Sequence, residues 1–214
     1  MSDSDKKKTG GPPEPRYDPF LMRTPSSTTA APAAEVVQLP PDRDVEVVVV
    51  ADSHGHPHSR TLSLIERLAP HMILHAGDIG DLSVLAQLSA LAPVLAVRGN
   101  IDEHAPNLPD SMHIDFLAGQ RRLLTVLLTH IAVYGPKLRA EVVRQAHASA
   151  AERVICGHSH VPFIGRDQGL VVFNPGSIGP RRFQLPIVFG VLRLGPSGPS
   201  MRHVSCETGE TWLP

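Results

Sequence analysis

Cysteine is scarce: Cys156 and Cys206 are the only two in 214 residues. Two such residues make no disulfide framework. Both are expected as reduced thiols, which assigns the chain to the cytoplasm. An excess of one charge is missing too, since 20 Lys and Arg stand against 21 Asp and Glu, a formal net charge of −1. That balance argues against a basic nucleic-acid footprint and against polybasic attraction to lipid. Neither specific nucleic-acid binding nor a membrane partner is expected. No apolar run approaches the ~18–20 residues of a membrane span. Lys6, Lys7 and Lys8 are followed by no apolar h-region, so no secretory signal is expected. The length allows one domain with a tail, or two small domains. A homo-oligomer stays open.

Histidine, by contrast, is abundant, with 12 residues. It is the one compositional excess that points toward metal. Residues 1–43 differ from the rest. They hold eight of the 21 prolines and polar clusters such as Ser26-Ser27-Thr28-Thr29. A segment of that kind buries too little apolar surface to offset its ordering entropy, so it reads as a disordered or loosely attached arm. Residues 44–214 read as the folded domain. Val45-Glu46-Val47-Val48-Val49-Val50 has the composition of a strand buried on both faces. Leu62, Ile65 and Leu68 recur at helical spacing, as do Leu82, Leu85 and Leu88. Met72-Ile73-Leu74 and residues 93–97 supply further strands. This β-α-β-α-β order predicts parallel strands with right-handed crossovers. Beyond it, residues 112–117 and 123–128 predict a hairpin around Gly119. Leu138, Val142, Val143 and Ala146 predict a helix, and strands are expected at 154–156, 170–173, 187–192 and 201–206. Two packed sheets with outer helices follow from that tally.

Five polar islands interrupt this pattern, each after an apolar run of strand length. They are Asp52-Ser53-His54, Gly77-Asp78, Gly99-Asn100, Thr129-His130 and Gly157-His158-Ser159-His160. In an α/β fold such positions are strand ends, where the chemistry sits. Together they offer two Asp, one Asn and four His, a donor set suited to two divalent ions. Alternation along an extended segment would send Asp52 and His54 the same way. Asp78 has two oxygens, enough to bridge two ions. It could instead cap the next helix, although Asp81, directly before Leu82, fits that task better. Asn100 combines an amide oxygen for a metal with an NH₂ for a phosphoryl oxygen. His158 and His160, two apart at a strand mouth, would point together into one site. His75 reads as a buried strand histidine near Asp78.

These residues resemble the calcineurin-like metallophosphoesterase superfamily, whose pattern is D-x-H, G-D, G-N, H and G-H-x-H in this order. The Asp52-Ser53-His54-Gly55 start and the Asn174-Pro175-Gly176-Ser177 segment are similar to its small, single-domain prokaryotic phosphodiesterase branch. The resemblance covers residues 45–194. It implies an α/β fold, a four-layer α/β/β/α sandwich of two mixed sheets flanked by helices, with metals at the C-terminal strand ends. It implies two divalent ions, most often manganese in this branch; the donor set also accepts Fe, Zn, Ni or Mg. By the resemblance, Asp52, His54, Asp78 and His160 would hold one ion. Asp78, Asn100, His130 and His158 would hold the other, and Asp78, Asn100 and His130 would carry catalytic roles. Asn174 to Ser177 would turn beside the site. Asn100, with Arg181 or Arg182, would contact a small phosphoester substrate. The activity implied is hydrolysis of phosphodiester, or monoester, bonds by hydroxide generated between the ions.

Two departures from the family pattern stand out. The proton-donating His that often follows Gly-Asn is replaced by Ile101, which leaves Asp102 without that partner. Ile131-Ala132 follows His130 where relatives often carry Gly-His, which removes a substrate contact. Two other readings compete. One is a non-catalytic binding scaffold of the same fold, which would be favoured by lost ligands. The other is a zinc hydrolase of the metallo-β-lactamase type, suggested by His54-Gly55-His56-Pro57-His58, though Pro57 stands where that family's pattern needs Asp.

Overall fold

The computed structural model describes residues 32–213. Its first half runs β1 (Ala33–Gln38), β2 (Val45–Val50), α1 (Thr61–Leu68), β3 (Met72–His75), α2 (Ser83–Ser89) and β4 (Val94–Ala96). The middle runs β5 (Ser111–Ala118), β6 (Arg121–Thr129), β7 (Val133–Tyr134), β8 (Lys137–Leu138), α3 (Ala140–Ala148) and β9 (Arg153–Ile155). The last part holds β10 (Phe163–Asp167), β11 (Leu170–Asn174), β12 (Val188–Leu194), β13 (Ser200–Ser205) and β14 (Thr211–Trp212). Among the described residues, no helix is long and apolar enough to cross a membrane.

Two six-stranded mixed sheets form, in the orders β14-β13-β12-β2-β3-β4 and β1-β5-β6-β9-β11-β10. The valine run of β2 shows why they stack. Val47 and Val49 enter a core shared by both sheets, together with Ile114, Phe116, Val126 and Phe173. Val48 and Val50 point the other way, into a second core with Leu64 and Ile65 of α1 and Val84 and Leu88 of α2. Strand alternation thus feeds two cores from one run. On the far side, Leu127 and Val154 pack with Val142 and Ala146 of α3. The result is the expected four-layer α/β/β/α sandwich. Helices of seven to nine residues are too short to hold on propensity, so their order comes from these faces. The hairpin forms where expected, with Ala118 opposite Arg121 and Gly119 in the left-handed region at φ 61°.

One boundary differs from expectation. Residues 33–38 fall inside the segment read as a loose arm, yet they form β1, parallel to β5 from Ala33↔Met112 to Gln38↔Leu117. Leu39 is buried, and its N–H donates to the Leu117 carbonyl at 2.7 Å. An average over 43 residues hid this short stretch between Pro32 and Pro40. Its backbone partners come from a hairpin more than 70 residues away, so no local pattern announces it. The rest of the expected arm, residues 1–31, lies outside the described residues. β10, an edge strand carrying Gly165, Arg166 and Asp167, was also not expected; its ladder to β11 defines it.

Packing between the sheets leaves no slack at Gly190. A methyl group there would sit 2.4 Å from Phe173 Cζ, deep in the core. Gly190→Ala should therefore cost about 1–3 kcal/mol by overpacking. Urea denaturation measures it, and an unchanged midpoint would contradict this packing.

Candidate metal centre

Parallel strands bring their C-terminal ends to one edge of a sheet. β2, β3 and β4 are parallel neighbours, so Asp52 and His54, Asp78, and Asn100 emerge side by side. β6, β9 and β11 are likewise parallel neighbours. They deliver His130, then His158 and His160, then Asn174. The two edges meet. His130 Nε2 lies 3.2 Å from Asp78 Oδ1, and His160 Nε2 lies 3.5 Å from Asp52 Oδ1. His54 Nε2 is 3.1 Å from His160 Nε2 and 3.9 Å from Asp78 Oδ2.

Two clusters result. Asp52, His54 and His160 have ligand atoms within 4.8 Å of one another, and so do Asp52, Asp78 and His130. The two oxygens of Asp78 face different imidazoles. Asp52 belongs to both clusters, a sharing the sequence did not suggest. His158 and His160 do not point together. His160 stacks on His54 with ring centroids 5.1 Å apart, while His158 sits edge-on to His130 at 5.3 Å. Asn100 lies exposed on the rim, between two residues whose N–H groups bind Asp102 and Asp78.

The side chains are aimed by strained backbone rather than by extended alternation. Asp52, His54, Asp78, His158 and His160 all have left-handed φ, between 47° and 67°. These five are most of the nine such non-glycine residues among those described. Each costs about 1–3 kcal/mol and persists only where its surroundings over-determine it. The surroundings are tight. A Cβ on Gly99 would meet Asp78 Oδ1 at 2.2 Å, and one on Gly157 would meet Asp52 Oδ2 at 3.0 Å. This close approach is why glycine precedes the donors at both islands.

Asp102, and the segment 174–177 expected beside the site, clamp these loops. Buried Asp102 accepts the N–H groups of Gly99, Ile79 and Gly80 at 2.7, 3.1 and 2.9 Å, which ties the Asn100 loop to the Asp78 loop. Asn174 donates to the Gly157 carbonyl at 2.7 Å and Ser159 Oγ at 3.1 Å, and accepts from Gly176 N–H at 2.9 Å. Ser177 Oγ donates to the Asp52 carbonyl at 2.9 Å. Behind them, Gly77 N–H donates to His75 Nδ1 at 3.2 Å, so the His75 proton is on Nε2. That N–H donates to Ser53 Oγ at 3.0 Å, and Ser53 donates to the Ile79 carbonyl at 2.9 Å. His75 is a buried strand histidine, as expected, but also a brace under Asp78.

Electrostatically the cluster is unbalanced. Burial pushes the Asp52 carboxyl up to about 7, against the pull of His130. Burial also drives His160 down to about 4 and lowers His54 and His158. At the Asp78–His130 pair burial works against both charges. Their mutual attraction outweighs it, so Asp78 falls and His130 rises. His130 Nδ1 donates to the Ala76 carbonyl at 2.8 Å, so the second imidazolium proton lies on Nε2 against the Asp78 carboxylate, and loss of that proton frees Nε2 as a lone pair for a metal. Asp52 Oδ2, His130 Nε2 and His160 Nδ1 are buried without a hydrogen-bond partner. Acceptors that face each other in a dry site repel unless a cation or a proton lies between them. The donor set therefore fits divalent metal.

The sequence pattern of the calcineurin-like phosphoesterase superfamily domain matches residues 45–195. The chain belongs to that superfamily. It is 36% identical over 125 residues to a probable metallophosphoesterase of Methanothermobacter thermautotrophicus, covering 58% of this chain and 69% of that protein. Its fold is similar to vacuolar protein sorting 29 of Cryptosporidium parvum, with TM-score 0.64 and 16% identity over 81% of this chain and 97% of that one. It is also similar to a predicted phosphoesterase of Streptococcus pneumoniae, with TM-score 0.59 and 19% identity over 79% and 94% of the two chains. At those identities the likeness is one of fold.

Superfamily membership displaces the metallo-β-lactamase reading, and the structure agrees in detail. His56 is exposed, and His58 Nδ1 accepts the Arg60 N–H just before α1; neither joins a donor cluster. The two arginines also separate. Arg181 is held by the Leu185 carbonyl at 2.7 Å and by Glu207 at 2.6 Å, away from the donor clusters. Arg182 donates to His54 Nε2 at 3.3 Å and thus reaches the centre.

Asn174→Ala should lower Mn²⁺ affinity about 10–100-fold by freeing the Gly157–Ser159 loop; calorimetric titration checks it. His75 gives a pH signature. Its folded pKa, held down to about 4 by burial, lies below the ordinary 6.5. The unfolded chain therefore takes up a proton first, and this contribution to stability, complete above 6.5, is lost as pH falls toward 4. In metal-free protein, His75→Gln should flatten the stability profile across that window; equal slopes for variant and wild type would refute it.

Proposed function

We propose that this superfamily member hydrolyses phosphodiester bonds with two divalent cations held at the centre. The observation that carries this reading is the convergence of Asp52, Asp78, His54, His130 and His160, with Asp52 Oδ2 and His130 Nε2 buried and without a hydrogen-bond partner. These filled donor positions favour catalysis over a non-catalytic scaffold of the same fold. Asp52, His54 and His160 would hold one ion, and Asp52, Asp78 and His130 the other, with Asp78 between them and His158 and Asn100 beside the second. When bound, such ions lower the pKa of water and neutralise charge on the phosphoryl oxygens. Manganese is the proposed metal and a diester the proposed substrate class, both on the branch resemblance.

The chain's own groups do the rest. The Ala76 carbonyl holds the Nδ1 proton of His130, so once Nε2 gives up its own proton it faces the centre as a lone pair. Asn100, exposed on the rim, can donate its amide N–H to a non-bridging phosphoryl oxygen. Arg182 stands against His54 with guanidinium N–H groups to spare for the same anion. The clamps from Asp102, Asn174 and Ser177 hold this geometry before substrate arrives, so little reorganisation is needed in the reaction.

Bis-p-nitrophenyl phosphate with added Mn²⁺ should be hydrolysed, and chelator should abolish the reaction. Asp78→Ala should lower turnover at least ~100-fold while leaving the circular dichroism of the fold intact. Turnover that survives metal removal would refute the reading.

A further inference from the structure

Beside the metal centre lies an open cavity of ≈ 580 Å³, within the size range of small-molecule sites. Its walls carry His54, His56, Asp81, Leu82 and His104, over a floor of glycine backbone. His54 belongs to both spaces, since it also faces His160 and Asp78. A phosphoryl group seated at the centre would therefore extend one ester arm into this cavity.

When a phosphoester bond breaks, the departing oxygen needs a proton unless it is already a stable anion. Leu82 offers none, and Ile101, exposed on the neighbouring loop, offers none either. Asp81 is held as an anion, first by the Ser83 N–H at 2.8 Å and further by the nearby His104 and His56. Imidazole remains, the side chain best suited to proton donation near neutral pH. His104 is held in place by its loop. The turn that carries it begins at Asp102, whose carbonyl accepts the Ala105 N–H at 2.9 Å. The buried Asp102 carboxylate in turn grips Gly80 of the cavity floor at 2.9 Å. The loop thus sets His104 on the wall of the same cavity as the Asp81 carboxylate.

We infer that this cavity binds the leaving-group arm of the substrate and that His104 protonates the departing oxygen. The inference rests on the diesterase reading above. As the P–O bond breaks, its electron pair stays with the leaving oxygen. The ring N–H proton of the His104 imidazolium moves onto that oxygen, and solvent reprotonates the ring. Asp81 acts through His104 as a positioning residue. Leu82 and the glycine floor suit a flat or apolar arm, and Asp81 and His56 add polar contacts at its edge.

The test compares two diesters on the full-length, Mn²⁺-loaded protein. Bis-p-nitrophenyl phosphate releases a stable anion; diphenyl phosphate releases a poor one. His104→Gln should raise the ratio of the two kcat values, p-nitrophenolate over phenolate, about 100-fold. Asp81→Asn should raise it less. His104 is exposed, so folding should tolerate the change, and an unaltered thermal midpoint checks it. An unchanged ratio overturns the inference, as does a ratio that moves with His56→Gln and not with His104→Gln. Metal-dependent turnover of bis-p-nitrophenyl phosphate by the wild type upholds the diesterase reading whatever the variants do. Its absence overturns both.

Discussion

Everything at this centre depends on one unfavourable arrangement: two carboxylates and several imidazole nitrogens crowd together with too few protons among them. His130 Nε2 faces Asp78 Oδ1 at 3.2 Å, and its Nδ1 proton is committed to Ala76 on the other side of the ring. Asp52 is fully buried and still has an unpartnered oxygen. In a low-dielectric setting such contacts are expensive. The same contacts become a ligand field once cations enter, so the cost to the bare fold is the source of its affinity.

The fold can carry that cost because the donors sit on its stiffest parts. Each follows a strand whose residues fill one of three cores, and five of them, Asp52, His54, Asp78, His158 and His160, are aimed by backbone in a sparsely populated region. Strain of this kind relaxes unless something resists it. Resistance comes from hydrogen bonds that cross between loops and between sheets: Ser177 to Asp52, Asn174 to Gly157, Asp102 to Gly80 and Gly99, His158 N–H to Asp52. Ser177, Asn174 and Asp102 need not touch a metal. Their task is to keep five left-handed residues from reverting to easier conformations.

The two-sheet design also explains the uneven exposure of the site. The inter-sheet core buries Asp52, His130 and His160 at the strand ends. The loops that continue outward carry Asn100, His104 and Arg182 to the rim, where substrate can reach them. On the proposed roles, the most buried ligands, Asp52, His130 and His160, are dry, and the substrate-facing groups are wet. Arg181 shows how sharp the division is. One residue from Arg182, it turns away to Glu207 and braces the loop.

Strands and donors were legible along the chain because both are local signals. Apolar runs mark buried strands, and a polar island after each run marks a strand end. Order and spacing alone named Asp52, His54, Asp78, Asn100, His130, His158 and His160. Direction was not legible. His158 and His160 share a motif yet turn to different clusters, because left-handed backbone at both, held by Asn174 and Asp52, sends the rings apart. The same limit hid β1, whose ladder comes from β5, and the tasks of Asp102 and Asn174, whose partners lie in other loops. The amino-acid order by itself determined which side chains arrive at the strand ends. Only the tertiary structure decided where each one points, since that depends on backbone angles set by contacts distant in the chain.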